Sequence, residues 1–166
     1  AVERHKARVV VRGFLQRPGV HFSGTFAPTA KMASVRVLLA FAAAYSLKTR
    51  QVDFTAAHLN SPLKEELYCH PPPGVRLPAG HIFRLLRSTY GLRQAGRDWF
   101  RTLRGALIAL GFVQSPADAC VFTYFRAKSV ILLAAWVDDL AIVHNSDALL
   151  ANVLRNLGQR FKLRTS

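Results

Sequence analysis

Acidic residues are scarce in this chain, nine in 166, and two of them stand side by side inside Val130-Ile-Leu-Leu-Ala-Ala-Trp-Val-Asp-Asp-Leu-Ala-Ile-Val143. Neighbouring carboxylates between apolar runs repel each other and lose hydration, at a cost of several kcal/mol unless a cation compensates. An ordinary hairpin would place Asn-Gly or Asp-Gly there. Asp138 and Asp139 therefore read either as a solvated turn joining two core strands or as ligands for a hard divalent ion such as Mg²⁺. Asp53, in Arg50-Gln-Val-Asp-Phe, stands at the end of another expected strand. It either caps the following turn or, if its strand lies beside the Asp-Asp hairpin, completes a set of three carboxylates at one sheet edge. Three carboxylates can hold two Mg²⁺ (or Mn²⁺ in their place) about 4 Å apart, an arrangement suited to phosphoryl transfer. The other acids, Glu3, Glu65, Glu66, Asp98, Asp118 and Asp147, lie in polar stretches and read as solvated or capping residues.

The cations point to a partner. With 23 Lys and Arg the formal net charge is +14, and the large anions that accept such a surface are nucleic acid and acidic membrane. Arg93, Arg97, Arg101 and Arg104 fall at helical spacing along one stripe. That stripe is either a track for phosphates or a solvated helix face. Lys6 and Arg8, with Arg12, form a second basic patch, suited to a triphosphate or a template backbone, or else the exposed side of an edge strand. In Thr89-Tyr90-Gly91-Leu92-Arg93 a glycine precedes a helix start, which permits close backbone approach and favours anions. The six histidines have no paired spacing, and Trp99, Phe100 and Phe112 read as core. Two cysteines, Cys69 and Cys120, exclude a disulfide scaffold and offer no metal-ligand spacing.

Positioning these groups requires strands and helices in alternation. We expect strands at Lys6–Val11, Arg50–Phe54, Leu67–His70, Ile82–Leu86, Val121–Phe125, Val130–Val137 and Leu140–Val143. The turn joining the last two would run through the paired aspartates. Helices are expected over Ser34–Leu47, over Leu92–Leu110 with Gly111 closing it, and after Asp147 as a cap. Hairpins mixed with helices favour an α+β fold, an antiparallel sheet with packed helices, in one domain with its own core. Hydrophobic residues make up 51% of the chain, yet no apolar run approaches the roughly 20 residues of a membrane span. Nothing resembles a signal peptide, so an intracellular protein without a membrane partner is expected.

Several short motifs occur in a telling order: Lys6-Ala-Arg, Thr25-Phe-Ala-Pro28, Lys31-Met32, Gln51-Val-Asp53, Leu59-Asn60, Pro72-Pro-Gly74, Tyr90-Gly-Leu-Arg-Gln-Ala95, Leu110-Gly-Phe112, Asp118-Ala-Cys-Val121 and Val137-Asp-Asp139. Together, from about Lys6 to Lys162, they resemble the reverse transcriptase domain of copia-type LTR retrotransposons. The resemblance implies the fingers and palm of a right-hand polymerase over residues 1–166, without thumb or RNase H. It implies RNA-directed DNA synthesis from dNTPs with Mg²⁺ on a template–primer, inside a polyprotein that also carries thumb, RNase H and integrase. A cytoplasmic virus-like particle or the nucleus would be its location. Asp53 matches the first catalytic aspartate of that family, and Asp138 and Asp139 the pair of its Tyr-x-Asp-Asp box. Tyr90, Gly91 and Arg93 match the segment lining the nucleotide pocket, and Lys6 and Arg8 the basic fingers strand. Arg97, Arg101, Arg104 and the other cations would then hold the template–primer.

There are departures. His58 stands where the family has an aromatic beside the incoming sugar, which puts discrimination against ribonucleotides in question. Trp136 replaces the usual Tyr beside the primer terminus, Gly24 an acid, and Gly96 a proline. Three readings follow: a polymerase fragment, a catalytically decayed relic that binds nucleic acid, and a two-metal phosphohydrolase on an unrelated fold. The last leaves the ordered motifs without explanation.

Overall fold

The computed structural model describes residues 7–165. In chain order the elements are α1 (Met32–Ala44), β1 (Lys48–Phe54), β2 (Pro62–Cys69), β3 (Phe83–Arg87), α2 (Ala95–Ala109), β4 (Val113–Gln114), β5 (Val121–Arg126), β6 (Ser129–Trp136), β7 (Asp139–His144), α3 (Asp147–Gly158) and β8 (Leu163–Thr165). Short 3-10 turns occupy Gly13–Leu15 and Ala57–Asn60. The elements divide between two compact units, one holding Ala27–Ala57 and the chain from Phe100 on, the other the chain up to Phe26 and His58–Trp99. Among the described residues no helix is long and apolar enough to cross a membrane.

The larger unit is built on a six-stranded sheet of order β4-β5-β6-β7-β1-β8, antiparallel throughout. Alternation decides its two faces. Val52, Phe54, Phe122, Ile131, Leu133, Leu140 and Ile142 share one face and are all buried. The apolar positions Leu103 and Leu107 of α2 and Leu150, Val153 and Leu157 of α3 are buried as well, each such side chain stabilising the fold by about 1.5–3 kcal/mol. Helix α1 packs on β6 and β7, on the opposite face. Its start is fixed by Asp118, whose carboxylate accepts from the Lys31 N–H at 2.9 Å, the Ser34 hydroxyl at 2.6 Å and the Cys120 N–H at 2.9 Å. Of the two roles expected for Asp118, solvated or capping, the structure excludes the first: it is buried and bonded at the start of α1. Burial pushes its pKa up, but the bonds from Ser34, Cys120 and Lys31 outweigh that and hold it below the usual carboxylate value.

In the smaller unit β2 and β3 form a two-stranded sheet, and Leu67, Leu92 and Ala95 pack with Val11, Leu63 and Leu85. The strand expected at Lys6–Val11 does not form among the described residues, and Lys6 itself lies outside them. Val11 donates its N–H to the Tyr90 carbonyl at 2.9 Å and accepts from the Gly13 N–H at 2.9 Å, neither of them a ladder bond. Val9 and Val10 remain exposed. Propensity without a neighbouring strand makes no ladder. Two short strands, β4 and β8, have no alternation long enough to announce them. Ser146, not Asp147, caps α3 by accepting from the Leu149 N–H, while Asp147 pairs with Lys48.

Candidate active site

The β6–β7 hairpin turns one residue earlier than the sequence suggests. Trp136 pairs with Asp139, so Val137 and Asp138 form the two-residue turn and Asp139 opens β7. A turn at Asp138-Asp139 would shift the strand by one and expose Leu140, Ile142 and His144, which the structure buries. The cost falls on Val137, a β-branched residue at φ 51°, where glycine or asparagine is the usual occupant.

The same register brings the acids together. Asp53 is the direct cross-strand partner of Asp139, which puts their Cα atoms roughly 4.5–5.5 Å apart. The Phe54 N–H donates to the Asp138 carbonyl at 2.7 Å, so β1 runs alongside the turn itself. On its other side Asp53 pairs with Arg164 of β8. One row across the sheet therefore reads Trp136, Asp139, Asp53, Arg164, with Asp138 beside it in the turn. Asp53 and Asp139 are half-buried and Asp138 exposed.

Do these residues fit a divalent ion? None of the three carboxylates forms an ion pair among the described residues, in a chain whose net charge is +14. The side-chain partner of Asp139 is the neutral amide of Gln51, whose Nε2 donates to Oδ1 at 3.2 Å. Hard oxygen donors without a cation are a suitable set for Mg²⁺. The backbone supplies the proximity. Among the described residues no group of three or more His, Cys, Asp or Glu side chains is gathered around one point. Within the Gln51-Val-Asp53 motif the sequence gives Gln51 no role of its own, although period-2 spacing from Asp53 places it on the same strand face. A cleft of about 410 Å³ opens beside this row, lined by Val35, Leu38 and Leu39 of α1 and by Gln51, Trp136 and Asp139.

The expected nucleotide-pocket residues lie in the smaller unit. The Arg8 guanidinium stands over the Tyr90 ring at 5.2 Å from its centroid, and His58 meets the same ring edge-on at 5.1 Å. Gly91 has φ +93°, and a Cβ there would meet the Val11 carbonyl oxygen at 2.0 Å. The close approach that requires glycine is thus to the chain's own backbone. The arginine stripe is divided. Arg93 precedes α2 and donates to the Gly13 carbonyl at 3.0 Å, and Arg97 donates to Ser23 Oγ and the Gly24 carbonyl at 3.2 and 3.1 Å. Gly24 leaves room for that guanidinium, since a Cβ would sit 3.0 Å from it. Arg104 donates to Gln114 Oε1 at 2.7 Å. Arg101 is exposed and makes no hydrogen bond or ion pair among the described residues.

The family model described as reverse transcriptase (RNA-dependent DNA polymerase) matches residues 1–165. The Retrovirus-related Pol polyprotein from transposon RE1 of Arabidopsis thaliana is 38% identical over 99% of this chain and 11% of its own length. That from transposon TNT 1-94 of Nicotiana tabacum is 34% identical over 97% of the chain and 12% of its own. The Transposon Ty1-BL Gag-Pol polyprotein of Saccharomyces cerevisiae is 33% identical over 83% of the chain and 8% of its own. The chain thus spans about a ninth of the first of these relatives. No solved structure matches.

Proposed function

Since this chain belongs to the reverse transcriptase family, with copia-type Pol polyproteins as its relatives, we propose that it forms the fingers and palm of an RNA-directed DNA polymerase. The larger unit is the palm and the smaller the fingers. The observation that carries the reading is the pairing of Asp53 with Asp139 beside the turn that holds Asp138. Asp53, Asp138 and Asp139 would hold two Mg²⁺, which when bound acidify the primer 3′-hydroxyl and neutralise the triphosphate. Gln51 orients the Asp139 carboxylate through its amide. Arg8, His58, Tyr90 and Arg93 are assigned to dNTP binding, and Lys6 is assigned with them on the family resemblance alone. Gly91 permits the backbone fold that carries Tyr90. Trp136, 43% exposed, meets the primer terminus. Arg101 and Arg104 follow the template–primer, and Arg97 takes a structural part by holding the Ser23-Gly24 loop. The remaining segments of a Pol polyprotein are its partners.

The test is primer extension on an RNA template with Mg²⁺ and dNTPs. The chain replaces the matching segment of an active Pol polyprotein, with and without Asp138→Asn. We expect the wild-type segment to extend the primer and the variant to lose that activity, since the substitution removes a metal-binding carboxylate. Equal extension by both contradicts the assignment. The dispersed acidic side chains favour one second reading, a relic that binds nucleic acid without metal. It predicts binding of the duplex with no extension from either form.

A further inference from the structure

We propose that Arg164 is a phosphate-binding residue of the same site, an inference that rests on the metal-site reading above. Three observations carry it. First, β8 pairs Asp53 with Arg164, and directly opposed residues of an antiparallel pair project from the same face. Arg164 therefore extends the row of Trp136, Asp139 and Asp53 by one strand, roughly 5 Å beyond Asp53. Second, Arg164 is exposed and forms no ion pair with Asp53, its nearest opposed acid. A cation placed for stability alone would close on that carboxylate, the favourable cross-strand pair. Third, occupation of the three carboxylates by two divalent ions leaves the row positive, and Arg164 adds to that charge at its end. A positive row of this kind suits an oligoanion. The guanidinium offers a planar fork that takes two phosphate oxygens at once. A guanidinium carries donors and no acceptor, so its part is to bind and orient.

The ligand chemistry is a phosphate oxygen pair, supplied by the triphosphate of a dNTP or by a phosphodiester of the primer strand. Three measurements on the 166-residue chain separate these sources from each other and from a failure of the metal site. Binding of dATP in Ca²⁺ is measured by calorimetry, binding of a fluorescent primer–template duplex by anisotropy, and binding of Mn²⁺ by electron paramagnetic resonance. Arg164→Gln should weaken one of the first two by about tenfold, the loss of one charge-assisted contact. It should leave Mn²⁺ binding and the melting temperature unchanged. Weaker dATP binding assigns the triphosphate, weaker duplex binding the primer. Arg164→Lys, which keeps charge without the fork, should recover part of the loss. If Arg164→Gln leaves dATP and duplex binding unchanged, or if its effect is confined to Mn²⁺ affinity, the proposal is overturned and Arg164 only balances Asp53. Asp138→Asn reports on the premise separately: Mn²⁺ binding unaffected by that change rejects the metal site whatever Arg164 does.

Discussion

Gly91 illustrates how one residue's conformation underlies the proposed pocket. Its φ of +93° and the Val11 carbonyl oxygen 2.0 Å from a notional Cβ leave no room for a side chain. Gly91→Ala should therefore lower the stability of the smaller unit by more than about 2 kcal/mol, combining left-handed strain with a backbone displacement. A thermal melt that shows no change would mean that this interlock is not maintained in solution. The sequence marks Gly91 as special but misattributes the reason, since a glycine before a helix suits a ligand and a crossing backbone equally well. Asp53 is the opposite case. Its apolar neighbours Val52 and Phe54 mark its strand, and the alternation that buries them sends the carboxylate to the opposite face, where Asp53 is half-buried.

Among the elements, β6 is legible as a continuous apolar run, and β5, β7 and the helices as apolar positions recurring at periods of 2 or 3.6. The one-residue error in the β6–β7 turn came from taking adjacent acids as turn residues when a valine at φ 51° takes that place. β8 was invisible: Leu163–Thr165 has three residues, too few for a pattern, yet it supplies the cation next to Asp53. The helical stripe of arginines was legible as a stripe but not in its employment. Arg97, bonded to Ser23 and Gly24, is partly consumed by the fold, whereas Arg101 is open. Arg101→Gln should weaken binding of a primer–template duplex and reduce the slope of log affinity against log salt by about 1, with an unchanged melting temperature. Arg97→Gln should lower the melting temperature as well. Anisotropy titrations at several salt concentrations, with melts of both variants, check this contrast. Equal behaviour of the two would refute the division of the stripe.

For the molecule as a whole, acid should be the more damaging direction of pH change. His144 is fully buried, with Nε2 4.0 Å from Asp147 Oδ1, and burial lowers its pKa against the opposing pull of Asp147 and of the Ser146 backbone. The unfolded chain therefore takes up that proton first, and stability falls as pH drops below the ordinary histidine value of about 6.5. Asp118, also held below its ordinary value, adds a second loss as pH falls below about 4, where the unfolded carboxyl protonates and the folded one resists. Denaturant midpoints measured from pH 8 to pH 3 should show both declines. His144→Leu should remove the upper one and leave the lower; a profile flat between about pH 7 and 5 would contradict the buried neutral imidazole.

Where a paramagnetic ion settles on the molecule tests the account most directly. Titration of Mn²⁺ into the ¹⁵N-labelled chain should first broaden the backbone amides of residues 52–54 and 137–140, with Mg²⁺ reversing the effect by competition and Asp53→Asn abolishing it. Broadening that begins elsewhere, or that survives Asp53→Asn undiminished, would contradict a shared ion site built across β1 and the β6–β7 turn.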